Sequence, residues 1–587
     1  MTRRLQEFSV RAGPGAGFSA WVVGLLATVL CLSGCGPKAP ARPAELVLTN
    51  GAVYTMDEAR PRVEAVAVEG GGIVYAGDSR GAARFVGAGT RTIDLGGRMV
   101  LPGFQDSHIH LVNGGIELGQ CNLNGLETKE AVFAAIKDYA ARNPGLPWIV
   151  GGGWDLPLFP QANPSREALD AIIPDRPACL DAADGHSAWV NTKALEAAGI
   201  TANTPDPPGG RIERDPRTGG PTGTLRETAA GLVRRHVPDL GAADYVRGLK
   251  AGLEMAARFG ITSIIEANAG RSVMDAYAAL DGSGELGLRV LASLSADPNK
   301  GTAEVERLAG LRKAYEGAHL KATAAKIFVD GVVESHTAAL LEPYLDRGGD
   351  RGTPLIEPAT LDALAVALDA AGFQIHVHAI GDRAVRMTLD AFEAAARANG
   401  PTDLRHHIAH LEMIDPADIP RFKALGVTAN FQALWAYPDS YITDLTAPIL
   451  GPERSGRLYP IGSVARTGAV IVGGSDWSVS SANPLDAIQV AVTRRAPDKP
   501  DGPAWLPREL VDLPAMLAAY TKNGAWLSHE ENLRGTIAVG KLADLVVLDR
   551  NLFEIPASDI HSTKVLLTIF DGREIYRDPA FNLGTQY

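Results

Sequence analysis

Thirteen histidines occur in the 587 residues. Two of them, His108 and His110, close the stretch Leu101-Pro102-Gly103-Phe104-Gln105-Asp106-Ser107-His108-Ile109-His110. On a β-strand a spacing of two puts both imidazoles on one face, because side chains alternate with that period. Imidazole is the commonest side-chain ligand for transition metals, so a strand end carrying two of them offers half of a metal site. Alone the pair is a weak signal, since a chain with this many histidines places some of them two apart by chance. Its context strengthens it. Val100-Leu101-Pro102-Gly103-Phe104 reads as an apolar run broken by a turn, which delivers a strand into the pair.

The other residues able to do chemistry lie far along the chain. From Gly260 onward strands and helices alternate in the order that builds a parallel barrel. The strands read as Ile261-Thr262-Ser263-Ile264-Ile265-Glu266, residues 288–294, Ala324-Ala325-Lys326-Ile327-Phe328-Val329-Asp330-Gly331, Gln374-Ile375-His376-Val377-His378-Ala379, residues 403–410 ending in His410, residues 427–432, and Val470-Ile471-Val472-Gly473-Gly474-Ser475-Asp476. With the strand at Val100 they make eight. Function in a (β/α)8 barrel sits at the C-terminal ends of the strands. Strand order therefore predicts a ring of ligands converging on one point. By period alone His376 and His378 are equivalent. Lys326 on an apolar strand is costly to bury as an unpaired cation.

These motifs resemble those of the amidohydrolase superfamily, metal-dependent hydrolases on a (β/α)8 TIM barrel. The branch that looks most similar is that of N-substituted formamide deformylase, amidohydrolase family 3. The resemblance extends over nearly all of the chain after its leader. It implies metal ligation by His108, His110, Lys326, His378, His410 and Asp476, and it favours His378 over His376. In many relatives the lysine equivalent to Lys326 is carboxylated and bridges two metals; the alternative is an unmodified lysine paired with Asp330 or with substrate. Ala409 departs from the glutamate usual before the histidine of the sixth strand, which puts the neighbouring contacts in doubt rather than the ligand. Gly151-Gly152-Gly153-Trp154-Asp155 and Asp184-Gly185-His186-Ser187-Ala188-Trp189-Val190-Asn191 also resemble motifs of that branch. They make Trp154, Asp155, His186, Trp189 and Asp330 candidate substrate contacts, with Trp435 as a further aromatic. Packing of the insertion against the barrel is the bland alternative for the histidine and the tryptophans.

The cofactor implied is Zn2+, one ion or two, with Mn, Fe or Ni suited about equally by ligand type. Zinc lowers the pKa of a bound water to about 7 and stabilises an oxyanion. Asp476 would then carry the proton to the leaving nitrogen. The activity expected is hydrolysis of an amide C–N bond, in an N-substituted formamide or a small N-acyl compound. Deamination and cyclic-amide hydrolysis remain open, because the ligand set does not separate them. A non-catalytic lipoprotein that captures a ligand is the reading from another class; it need not retain Asp476 or the histidine-bearing strand ends. One Gly-x-Ser-x-Gly match, Gly77-Asp78-Ser79-Arg80-Gly81, lies among short β-runs and lacks the strand-to-helix setting of a nucleophile elbow.

Composition is that of a globular protein, 46% hydrophobic and 21% charged, and the net charge of −12 argues against nucleic-acid binding. The start is distinct. Arg3, Arg4 and Arg11 precede the apolar residues 21–32, the order of an export signal. Leu32-Ser33-Gly34-Cys35 resembles a bacterial lipobox, which implies lipidation of Cys35, and Gly36-Pro37-Lys38-Ala39-Pro40-Ala41-Arg42-Pro43 reads as a stiff tether. The expected location is the cell envelope, lipid-anchored in the outer membrane and facing the periplasm. Cys121 and Cys179 would be the remaining cysteines of the mature chain; two buried free thiols are favoured over a disulfide.

The domain plan is a signal over residues 1–34, a tether over 35–44, a composite β-sandwich from 45–100 and 535–587, and a barrel over 101–534. An insertion of about 115–250, with an irregular polar stretch at 205–224, covers the barrel mouth. The expected partners are a small amide substrate and the membrane, with a homodimer left open.

Overall fold

The computed structural model describes residues 42–499 and 501–581. Signal segment, Cys35 and most of the tether lie outside the described residues. No helix among the described residues is long and apolar enough to cross a membrane.

Eight parallel strands form the central sheet. They are β1 (Phe104–Ile109), β2 (Ile261–Ala269), β3 (Arg289–Ser295), β4 (Leu320–Phe328), β5 (Gln374–Ala379), β6 (His407–His410), β7 (Thr428–Phe431) and β8 (Ile471–Gly473). Each pairs with the next in chain order. Parallel strands covered on both faces are buried along their length, and Ile261 to Ile265 and Ala324 to Ile327 are, with Thr262, Ser263 and Lys326 as the polar members. Amphipathic helices such as Pro358–Ala370 and Asp382–Asn399 cover the outside. Each Leu, Ile or Val fully buried between them and the strands contributes about 1.5–3 kcal/mol.

The seam between β8 and β1 lies just past the end of β8. Asp476 N donates to His108 O at 2.7 Å, and His110 N donates to Trp477 O at 3.0 Å. The Asp106 carboxylate reinforces it, its Oδ1 accepting from His108 N at 3.1 Å and from Ser475 N at 3.0 Å.

Two further sheets follow, the first built from the N-terminal segment alone and the second from both ends of the chain. One has the order Gly72–Gly77, Ala65–Glu69, Leu46–Thr49, Arg91–Asp94; the other runs Arg573–Arg577, Val565–Phe570, Leu545–Leu548, Met99–Pro102, Ala52–Tyr54, Arg62–Val63. They share one apolar core of Val, Ile and Leu side chains. The apolar run at Val100 therefore ends in this sheet, and β1 begins after Gly103. Alternation alone does not say which sheet a strand joins, so sequence merged the two. Gly103 is the hinge, and a Cβ there would lie 2.2 Å from Thr262 Oγ1.

The insertion carries its own six-stranded sheet, ordered Gly210–Arg214, Pro221–Glu227, Ser187–Val190, Ala178–Ala182, Ile149–Trp154, Cys121–Asn122. Its first two strands occupy the stretch read as irregular. Glycine and proline there mark the hairpin turn and strand ends rather than loss of order. Cys121 and Cys179 are buried free thiols on this sheet.

Candidate active site

His108 lies on β1 and His110 just beyond it, as the period of two requires. Asp476 follows β8 across the seam. Its Oδ1 is 3.3 Å from His108 Nε2 and 3.1 Å from His110 Nε2, and its Oδ2 is 3.8 Å from His410 Nδ1. Among the described residues His108, His110 and Asp476 are the group whose metal-ligating atoms all lie within 4.8 Å of one another. His410 ends β6, its ring centroid 4.7 Å from that of His108 and 4.4 Å from that of His378. Lys326, on β4, brings Nζ to 3.4 Å from His108 Nε2 and lies 4.8 Å over the Phe328 ring. All six residues thus border one space at the C-terminal mouth of the barrel.

Local backbone is bent to aim these groups. His410 has φ +78° and Asp476 φ +55°, left-handed values uncommon for side-chain-bearing residues and typical of functional sites. Gly474 lets β8 approach β1, since a Cβ there would lie 2.6 Å from His108 Cβ.

Electrostatics suit a metal. Burial pushes His108 down to about 3, helped by the Lys326 charge, and burial holds His378 and His410 well below the usual imidazole range. Metal ligands must be deprotonated, so imidazoles kept neutral are ready donors. Burial also opposes a charge on His110, but Asp476 and Glu266 beside it raise its proton affinity. Burial would raise Asp476, yet His108, His110 and His410 hold it well below the ordinary carboxyl range. Asp476 Oδ1 and His410 Nδ1 are buried without hydrogen-bond partners, a cost a bound cation would remove. The donor set therefore fits a divalent metal held by His108, His110 and Asp476, with His378, His410 and Lys326 around it. Burial lowers Lys326 to about 7, which makes its neutral amine accessible near neutral pH.

The remaining sequence-named residues fall in two groups. His186 reaches the mouth: its ring centroid is 5.2 Å from that of His378, and Nδ1 is 2.9 Å from Glu227 Oε2. Burial opposes its charge, but Glu227 raises it to about 9. Trp435 stacks parallel on His410 at 5.6 Å. Trp154 and Trp189 are fully buried in the insertion, donating to Leu180 O and Ser165 O at 2.9 Å each. Asp155 accepts from Tyr441 Oη at 3.1 Å. Asp330 is a buried clamp whose carboxylate accepts from Ala339 N, Ile380 N and Gly381 N at 2.9–3.0 Å, with His378 Nε2 at 3.8 Å.

Sequence reasoning set His376 aside in favour of His378 and passed over Glu266 and Asp106 as supporting groups. His376 Nε2 meets His108 Nδ1, and Glu266 at 3.9 Å from His110 Nδ1 is itself held by Tyr277 Oη at 2.7 Å. Asp106 shares the face of His108 and His110 by the same period of two, a signal present in the sequence.

The Amidohydrolase family matches residues 91–576. Over 546 residues the chain is 32% identical to the Arabidopsis thaliana protein LONG AFTER FAR-RED 3, covering 91% of this chain and 92% of that one. It is 28% identical over 551 residues to the N-substituted formamide deformylase of Arthrobacter pascens, covering 90% and 97%. An uncharacterised metal-dependent hydrolase from Pyrococcus horikoshii superposes with a TM-score of 0.68 at 25% identity, covering 87% of this chain and 99% of that one. A match of this extent, on a barrel whose strand ends gather imidazoles and a carboxylate, places the chain in the amidohydrolase family.

Proposed function

We propose that this hydrolase cleaves the C–N bond of an amide, with N-substituted formamides or small N-acyl compounds as its substrate class. The observation that carries the reading is the convergence of His108, His110 and Asp476 within 4.8 Å at the barrel mouth. Similarity to a formamide deformylase supports the choice of bond.

A divalent metal, zinc by default, supplies Lewis acidity for the carbonyl and makes water nucleophilic near neutral pH. The chain's own residues do the rest. His376 and Glu266 orient the two imidazoles of β1. Asp476 accepts the proton of the attacking water on its carboxylate and delivers it to the leaving nitrogen, which departs as an amine. The insertion, through His186, and Trp435 line the mouth and exclude bulk water from the carbonyl. The Lys326 amine, if it adds to CO2 with loss of a proton, would become a carbamate whose oxygens would help hold a second metal ion. Lipid on Cys35, outside the described residues, tethers the enzyme to the bacterial cell envelope.

The test is metal content together with amine release from a panel of N-substituted formamides, before and after chelation. Loss of release on chelation and recovery with zinc is the expected result. Release that survives complete metal removal overturns the reading.

A further inference from the structure

The insertion reaches the metal site through a pair of side chains from two adjacent strands. His186 immediately precedes the strand Ser187–Val190, and Glu227 ends its neighbour, Pro221–Glu227. Backbone and side chains both join them: Glu227 N donates to His186 O at 2.8 Å, and His186 Nδ1 lies 2.9 Å from Glu227 Oε2. The barrel holds the same carboxylate from its other side. Thr337 Oγ1, in the loop after β4, donates to Glu227 Oε1 at 2.6 Å. Gly331 of that loop packs so close that a Cβ there would lie 2.2 Å from the same oxygen, and its carbonyl lies 3.3 Å from His378 Nε2. Glu227 has φ +50°, a positive value that is unfavourable for a side-chain-bearing residue and persists only where surrounding contacts enforce it.

A carboxylate only accepts hydrogen bonds, so His186 Nδ1 carries the hydrogen and donates it to Glu227. Nε2, on the opposite edge of the ring, has no hydrogen-bond partner among the described residues. The ring packs against His378 with centroids 5.2 Å apart, and the side chain stays 15% exposed at the barrel mouth. A role as a pin between insertion and barrel accounts for Nδ1 and Glu227 but gives Nε2 nothing to do. A substrate that covers His378 also takes water from this nitrogen. A ring nitrogen stripped of water and left unpaired is costly whether it then donates or accepts. A hydrocarbon substituent leaves it unpaired, whereas a hydroxyl can serve it in either sense.

We propose that His186 is a specificity-determining contact whose Nε2 hydrogen-bonds a hydroxyl or other oxygen that the substrate carries beside its scissile amide, with Glu227 as the positioning residue that aims it. The hydrolase reading enters only in the amide; the preference for oxygen can be read from binding without turnover.

Matched amides that differ by hydroxyl against methyl test this on the metal-loaded full chain. N-(2-hydroxyethyl)formamide against N-propylformamide probes the amine side, and N-methylglycolamide against N-methylpropanamide the acyl side. Affinity from isothermal titration calorimetry and kcat/KM from amine release should favour the hydroxyl member of a pair by about tenfold or more, the scale of one buried polar group left unpaired. His186→Phe and Glu227→Gln, each checked for melting temperature and metal content, should each lose most of that preference. In the His186→Phe background Glu227→Gln should change it no further, because Glu227 acts through the imidazole. A mere pin would alter stability and leave the hydroxyl-to-methyl ratio in place. Equal treatment of both members in both pairs, or a preference that survives His186→Phe, overturns the proposal. If His186→Phe does not fold, an unchanged ratio in Glu227→Gln overturns it instead. A calorimetric preference that depends on His186, with no amine released from any amide, contradicts the hydrolase reading and keeps the contact.

Discussion

His376 Nε2 lies 2.9 Å from His108 Nδ1, and Ser293 Oγ lies 2.9 Å from the other nitrogen of His376. His108 faces Asp476 through Nε2. For that nitrogen to offer a lone pair, Nδ1 must carry the hydrogen and donate it to His376 Nε2. His376 then carries its own hydrogen on Nδ1 and donates to Ser293 Oγ. The lone pair required at His108 Nε2 thus sets two tautomers in series, with the Ser293 hydroxyl as the last acceptor. His376→Phe, which keeps the ring and removes both hydrogen bonds, should weaken metal binding by about 10–100-fold. Competition with a chromophoric chelator measures this; unchanged affinity contradicts the relay.

Asp476→Asn preserves the shape at the seam and removes the carboxylate proposed to carry the proton. Turnover should fall by about 10²–10⁴-fold, with the melting temperature little changed. Amine release by single-turnover kinetics is the readout, and retained turnover removes Asp476 from the proton path.

Gly474→Ala forces a Cβ against His108 Cβ at 2.6 Å. Separating β8 from β1 should cost about 1–3 kcal/mol, the usual scale of overpacking. Because the same contact places His108, metal stoichiometry should fall with the melting temperature. A stable variant with full metal content contradicts the close approach.

Glu530 joins the start of β4 to the C-terminal segment, accepting from Lys321 Nζ and Arg534 Nε at 2.6 Å each. Burial would raise its carboxyl, but Arg534 and Lys321 lower it to about 2. A folded-state pKa below the unfolded value contributes stability that is present in full above the unfolded carboxyl range and is lost as pH falls through about 2. Relative to Glu530→Gln, the natural chain should therefore be the more stable near neutral pH, with the difference shrinking on acidification. Parallel melts across that range would show it; a constant difference contradicts the ion pair.

Legibility followed chemistry more closely than geometry. His108 and His110 could be named from their spacing at the end of an apolar run, Asp476 was singled out by the family resemblance, and strand order says where those strand ends converge. The eight-strand count was readable for the same reason. The border at Gly103 was not, because Val100 and Phe104 are both apolar strand residues and their sheets differ only in distant partners. The hairpin Gly210–Arg214 and Pro221–Glu227 was hidden by turn residues at its ends. Trp154 and Trp189 show the converse: their motifs attract attention, yet both rings fill the insertion's interior.

Asp476 and His108 meet where the last barrel strand docks on the first, some 368 positions apart in the chain (476 − 108). Ion capture is therefore tied to a late moment in synthesis. A nascent chain that has emerged only as far as β7 holds its histidines but lacks the acid that gathers them, so the three-residue metal site is not yet complete. Loading waits until nearly the whole polypeptide is available, which couples cofactor acquisition to completion of the enzyme.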